Sequence, residues 1–144
     1  MAYFKFVSLI INNKPIDIYN NGEMYRDFTY VDDLVNGIKL LVDCIPNNKK
    51  ISDKDSLSSV APFRVVNIGN SDKIKLIDFI DAIEESLNQK AIRNYMPMQK
   101  GDVTETWADG SLLQKLTNYK PKTNYKDGIN NFVKWYKDYF KDRF

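Results

Sequence analysis

Arg26-Asp27-Phe28-Thr29-Tyr30-Val31-Asp32-Asp33 runs straight into Leu34-Val35-Asn36-Gly37-Ile38. Phe28, Tyr30 and Val31 favour extended backbone. Asp32 and Asp33 then place negative charge in a first helical turn, where unpaired N–H groups and the helix dipole favour anions. The stretch therefore predicts a strand, Tyr25 to Tyr30, that switches abruptly into a helix from Asp32 to about Ile45. Thr29 is placed to cap that helix through its hydroxyl. Arg26 stands just before the switch, on a rigid element. Its fork of donors suits a phosphate or a carboxylate. A surface ion pair with Asp27 or Asp32 is the plainer use of the same charge.

Outward from this switch, the spacing of Phe4, Val7, Ile10 and Ile11 predicts a helix from Met1 to Asn12. Ile16-Asp17-Ile18-Tyr19 alternates as a short strand, and Asn20-Asn21-Gly22 turns out of it. In the second helix Leu34, Ile38, Leu41 and Ile45 form one apolar stripe. Residues 46–62 are polar and aperiodic and read as an exposed loop. Arg64-Val65-Val66-Asn67-Ile68 reads as a strand. Leu76, Ile77, Ile80, Ile83 and Leu87 mark a clear amphipathic helix, and Ile92 to Met96 another strand. Gln99 to Asp109 is irregular. A short helix follows through Leu116, capped by Asp109 or Ser111, with Asn118 left-handed at its end. The last helix runs from Asp127 to about Tyr139, with Ile129, Phe132, Val133 and Tyr136 on one side. Helices mixed with short strands predict a single small α+β lobe over residues 1–144, not a complete doubly wound domain.

Composition narrows the function. The chain is 43% hydrophobic and 28% charged, with a formal net charge of +2. That charge is small and its basic residues are scattered, which argues against nucleic acid. The single cysteine, Cys44, excludes an internal disulfide framework. With no histidine, the usual metal ligand and the usual general base are both missing. No segment has the length and apolarity of a membrane span, and a cytoplasmic protein is the expectation.

Two further stretches carry chemistry. In Met98-Gln99-Lys100-Gly101-Asp102-Val103-Thr104-Glu105-Thr106-Trp107-Ala108-Asp109 a glycine stands beside an acid in a polar loop. A carboxylate so placed can accept two hydrogen bonds from a sugar's vicinal hydroxyls. Asp102 can equally turn onto its own backbone. In Pro15-Ile16-Asp17-Ile18-Tyr19 the terminal aromatic can stack on a base, or be an ordinary sheet tyrosine.

The Arg-Asp-Phe-Thr-Tyr-Val-Asp-Asp block and the Gly-Asp-Val-x-x-Thr-x-Ala-Asp loop together resemble the C-terminal portion of the NAD-dependent sugar-nucleotide epimerase/dehydratase family. These are extended short-chain dehydrogenases/reductases, and the likeness is to the UDP-glucuronate 4-epimerase branch. It runs from Met1 to about Tyr139 and implies the substrate-binding lobe of that fold. It implies that Arg26 contacts the pyrophosphate of a UDP-sugar and that Asp102 holds the ribose hydroxyls. The strand with Pro15, Ile18 and Tyr19 would line the uracil site, Tyr19 taking the aromatic position. Met1 and Ala2 match positions beside the phosphates, and Thr106 one near the sugar ring. Gln99 stands where many members carry a second phosphate-binding arginine, which leaves Arg26 as the one clear phosphate cation, with Lys100 to assist.

The family's chemistry is a hydride transfer to and from NAD, with a tyrosine base and a lysine four residues later. Neither feature is in these 144 residues: the six glycines form no fingerprint, and no tyrosine has a lysine four positions on. The resemblance therefore implies a lobe without the N-terminal NAD-binding domain, holding no catalytic residue and binding no NAD itself. A UDP-sugar, a missing NAD-binding half or a second copy are the partners it suggests. A dehydratase or decarboxylase using the same lobe, and a non-catalytic assembly domain that kept the fold, are the alternatives.

Overall fold

The computed structural model describes residues 2–47 and 49–141. Contacts among them gather into two compact units. The first contains helix α1 (Ala2–Ile11), strand β1 (Ile16–Ile18), a 3-10 turn (Tyr19–Gly22), β2 (Tyr25–Arg26), β3 (Ile74–Lys75), α3 (Leu76–Leu87), β4 (Arg93–Tyr95), β5 (Glu105–Thr106) and α5 (Tyr125–Tyr139). The second is built from residues Asp27–Asp72 and Trp107–Thr123, with helices α2 (Val31–Val42) and α4 (Ser111–Thr117). The mixture of helices and short strands is the α+β class expected from the sequence.

In the first unit the strands form two small sheets. β1 pairs parallel with β4, with Ile18 opposite Tyr95. β2 lies between β3, which it meets antiparallel, and β5, which runs parallel to it. Helix α3 packs on α1 and α5. Val7, Ile10, Ile16, Ile18, Ile80 and Ile83 are buried at their centre. At about 25 cal/mol per Å² of apolar surface removed from water, these branched side chains supply the unit's main driving force. An aromatic cluster extends this core, with Phe4 edge-on to Tyr136 and Phe132 beside Tyr3. The turn after β1 needs left-handed backbone: Asn20, Asn21 and Gly22 have φ of 49°, 51° and 83°. Gly22 also sits against Ile77, where a Cβ would collide.

The second unit departs from the sequence reading in four places. Helix α2 begins at Val31, with Tyr30 as its N-cap residue and no side-chain cap. The Thr29 hydroxyl instead accepts the Asn70 N–H at 3.2 Å. Residues 64–68 lie in no strand, since a strand exists only through a ladder partner and none is present among the described residues. The β2 strand likewise ends at Arg26 rather than Tyr30. The apolar stripe read for this helix is not core: Ile38 is 52% exposed, and Ile45, past the helix end at Val42, is 78% exposed. The helix instead buries Asp33 and Gly37, Gly37 against Ile68 and Leu113.

The described residues among 46–62 form no regular element, yet Asp55 and Leu57 are buried. Asp55 takes N–H groups from Ile51 and Leu57 and pairs with Arg64 at 2.9 Å. Desolvation opposes its charge, but these bonds prevail and hold the carboxyl below the usual range.

Candidate functional site

Arg26 ends β2, and the parallel pairing of β2 with β5 sets it opposite Thr106. The residues just before β5 are therefore carried along one side of the arginine. Its Nη2 donates to Asp102 Oδ1 at 3.0 Å and to the Val103 carbonyl at 2.9 Å. Its Nη1 donates to the Tyr25 carbonyl at 2.8 Å and to the Thr104 carbonyl at 3.4 Å. Tyr25 N–H in turn donates to Thr104 O at 2.8 Å, so strand pairing and arginine hold the same loop end. Arg26 thus pairs with Asp102, not with Asp27 or Asp32. Asp27 is occupied elsewhere, accepting the N–H groups of Ser71 and Ala108.

Asp102 makes its backbone turn as well: Oδ1 also accepts the Val103 N–H at 2.8 Å. Gln99 O accepts the Asp102 N–H at 3.2 Å, which closes the loop around Lys100 and Gly101. Gly101 has φ +84° and open space where a Cβ would stand. Side-chain exposure is 26% for Arg26 and 35% for Asp102, so solvent reaches both. Two further ion pairs fix β3 to this sheet, Lys73 to Glu105 and Lys75 to Glu23. The Glu23 hydrogen bond raises the Lys75 ammonium above its ordinary pKa.

The other end of the same loop meets β1. Met96 N–H donates to Ile18 O at 2.9 Å, and Asn21 N–H to Met96 O at 3.1 Å. The loop from Met96 to Thr104 therefore bridges the two sheets, with the end of β1 at one foot and Arg26 at the other. Tyr19 begins the 3-10 turn and is half-buried, while Pro15, Gln99, Lys100 and Thr106 are exposed. Ile18 is fully buried and its carbonyl accepts the Met96 N–H. Ala2 is exposed at the start of α1. Met1 lies outside the described residues. The arrangement thus brings Arg26 and Asp102 into direct contact, sets Thr106 in register with Arg26, and ties Tyr19's neighbour to their loop.

The backbone carbonyls of Val103 and Thr104 were not among the candidates. They complete the guanidinium's shell, and no side-chain pattern announces them. A separate cleft of about 610 Å³ in the second unit is lined by Asn67, Trp107, Gln114 and Lys120 among others, and none of the candidates lines it. Among the described residues no cluster could hold a metal ion, and no helix is long and apolar enough to cross a membrane.

Known proteins resemble this chain over nearly its whole length. The family described as GDP-mannose 4,6 dehydratase matches residues 3–132. Protein CapI of Staphylococcus aureus is 47% identical over 144 residues, covering 98% of this chain and 43% of its own length. A probable UDP-glucuronate 4-epimerase of Rhizobium meliloti is 46% identical over 140 residues, covering 94% of this chain and 41% of its own. Among solved structures, UDP-glucuronic acid 4-epimerase from Bacillus cereus in complex with UDP-glucuronic acid and NAD matches with a TM-score of 0.74 and 27% identity. That match covers 94% of this chain and 40% of the epimerase. The chain spans less than half the length of each of these relatives.

Proposed function

The chain belongs to the GDP-mannose 4,6-dehydratase family of NAD-dependent sugar-nucleotide epimerases and dehydratases, and from that premise we propose that its first unit holds the nucleotide diphosphate of a UDP-sugar. The substrate in this reading is UDP-glucuronate, epimerised at C4 by the whole enzyme in the cytoplasm. The observation that carries it is the meeting of Arg26 and Asp102 on one solvent-reached loop end. A guanidinium suits the diphosphate and a carboxylate suits the ribose diol. Thr106 is in register with Arg26, and in this reading it takes the sugar next to the diphosphate. The loop sequence Gly101-Asp102-Val103-x-x-Thr106 favours an epimerase over the dehydratase that the family description names.

The Bacillus cereus relative's structure holds NAD, but the described residues of this chain form no glycine-rich cradle for it. Gly22 and Gly101, the glycines at positive φ, open no helix. Gly110 precedes the seven-residue α4, whose first N–H is already taken by Asp109. Binding and orienting substrate is what these residues do, and binding alone does not lower a chemical barrier. Purified as these 144 residues and given NAD, the chain is expected to leave UDP-glucuronate unconverted in a chromatographic assay; formation of UDP-galacturonate would overturn that.

Calorimetric titration with UDP and UDP-glucuronate tests the site. Arg26→Ala is expected to weaken both by about 10- to 100-fold, the scale of a hydrogen bond to a charged group. Asp102→Ala is expected to weaken both by about tenfold. A folded chain that binds neither ligand, or binds them regardless of these substitutions, would favour the assembly-domain reading.

A further inference from the structure

We propose that Asp102 is a gate on Arg26, and that it makes the site refuse anions that carry no diol. The proposal rests on the nucleotide reading above and adds to it a basis for selectivity.

An arginine open to phosphate presents its two-pronged edge free. Here that edge is already seated. Nη2 is spent on Asp102 Oδ1 and Val103 O, and Nη1 on the carbonyls of Tyr25 and Thr104. An incoming phosphate must displace some of these partners. If Asp102 stays in place, the site then holds two anions against one cation, and the charges repel at short range. An anion therefore binds well only if Asp102 is drawn aside.

Asp102 is built to be drawn aside. It sits on the loop between Met96 and Thr104, next to Gly101, whose Cβ position is open. Only Oδ1 is engaged, by Arg26 and by Val103 N–H. Oδ2 has no hydrogen-bond partner among the described residues, and the side chain is about one third exposed at 35%. A vicinal diol offers two O–H donors to a carboxylate. Those donors replace the guanidinium N–H that Asp102 gives up, and the same event removes the carboxylate as a competitor for Arg26. Inorganic phosphate or diphosphate offers the arginine an anion and gives the carboxylate nothing in return. The pair thus couples the two halves of a nucleotide, so that the diol admits the diphosphate. Free phosphate, abundant wherever nucleotides are used, is kept out by the same ion pair.

The test uses inorganic diphosphate, UDP and uridine as probes in calorimetric titrations of the chain and of Asp102→Asn. Asparagine keeps the size and the acceptor for Val103 N–H but removes the charge. Asp102→Asn is expected to bind diphosphate about tenfold more tightly than the unsubstituted chain, the scale of one relieved charge repulsion in a solvent-reached site. It is expected to bind UDP and uridine about tenfold more weakly. Asp102→Ser is a second variant with the same expected signs, and Arg26→Ala added to either should abolish the gain in diphosphate binding. Diphosphate affinity that is unchanged or lower in both folded variants would overturn the gate. If diphosphate binding tightens while the unsubstituted chain ignores UDP, Asp102 still shields Arg26 from anions, but the diol is not what opens the pair, and the gate's selectivity falls with the nucleotide reading.

Discussion

Asp33→Ala is expected to destabilise the second unit by about 2–4 kcal/mol, since it orphans two backbone donors at a cost of about 1–3 each, partly recovered by water, and leaves the Tyr119 hydroxyl only the backbone carbonyl at that position. Asp33 is only 6% exposed. Its Oδ1 accepts the Tyr119 hydroxyl at 2.8 Å, and Oδ2 accepts the N–H groups of Thr123 at 2.8 Å and Lys122 at 3.2 Å. One carboxylate in the first turn of α2 thereby fixes the segment that leaves α4. Urea titration at pH 7 measures the loss, and exchange of the Lys122 and Thr123 amides should quicken by at least about 100-fold if the bonds are local anchors. A loss under about 1 kcal/mol would sink the argument.

The same group sets two limits in pH. Burial opposes the charge on Asp33, but bonds from Thr123, Tyr119 and Lys122 outweigh it and hold the carboxyl below its ordinary 3.8. A lowered folded value means that this stabilisation is complete above about pH 4 and is lost as pH falls through the folded value. Tyr119 moves the other way. Burial and the Asp33 carboxylate raise its hydroxyl from 10.0 to about 12. That stabilisation is complete below pH 10 and is lost as pH rises toward 12. Asp33→Asn should flatten the acid limb, and Tyr119→Phe the alkaline one.

What could be read from the sequence follows the range of the forces involved. Helix α3 is visible in Leu76, Ile80, Ile83 and Leu87 because its period is local, and it spans Leu76–Leu87 as expected. Asn118 ends α4 at φ 55° for a reason equally local. The stripe Leu34, Ile38, Leu41 and Ile45 is just as periodic, yet Leu34, Ile38 and Ile45 are exposed and Leu41 is only half-buried. Periodicity tells which face is apolar and cannot tell what covers it. Arg64 to Ile68 fails for a related reason: β-branched residues favour extension, but a strand needs a partner that propensity does not supply.

The site divides along the same line. Arg26 and Asp102 stand out in the sequence because their blocks match a family. Their direct contact does not, since it joins residues 76 apart through the parallel pairing of β2 and β5. The polar run at 46–62 hid a buried pair in the same way. Asp55 and Arg64 are nine apart in a stretch without period, and only the folded loop brings them to 2.9 Å.

Glu84→Ala should cost the first unit about 3–5 kcal/mol, the usual penalty for removing one member of a buried charge cluster. Glu84 is 3% exposed because it lies one turn after Ile80 on the inward side of α3. It accepts Lys90 Nζ at 2.7 Å, Ala91 N–H at 3.2 Å, and Arg93 through Nε at 2.9 Å and Nη2 at 2.7 Å. Arg93 also pairs with Asp81. Desolvation opposes the charge on Glu84, yet the bonds from Lys90, Arg93 and Ala91 prevail and hold its carboxyl below the ordinary 4.5. Its stabilisation is therefore complete above about pH 4.5 and is lost as pH falls below that.

Glu84 ties the end of α3 to β4, and β4 leads into the loop that carries Asp102. Loosening β4 frees the foot of that loop, where Met96 N–H meets Ile18 O. The variant should therefore show faster exchange at the Met96 amide and weaker UDP binding, although Glu84 makes no bond to Arg26 or Asp102. Glu84→Gln, which keeps the shape and one acceptor, should recover about half of the lost stability. Unchanged Met96 exchange in a destabilised Glu84→Ala would show that the cluster steadies α3 alone and that the loop is positioned without it.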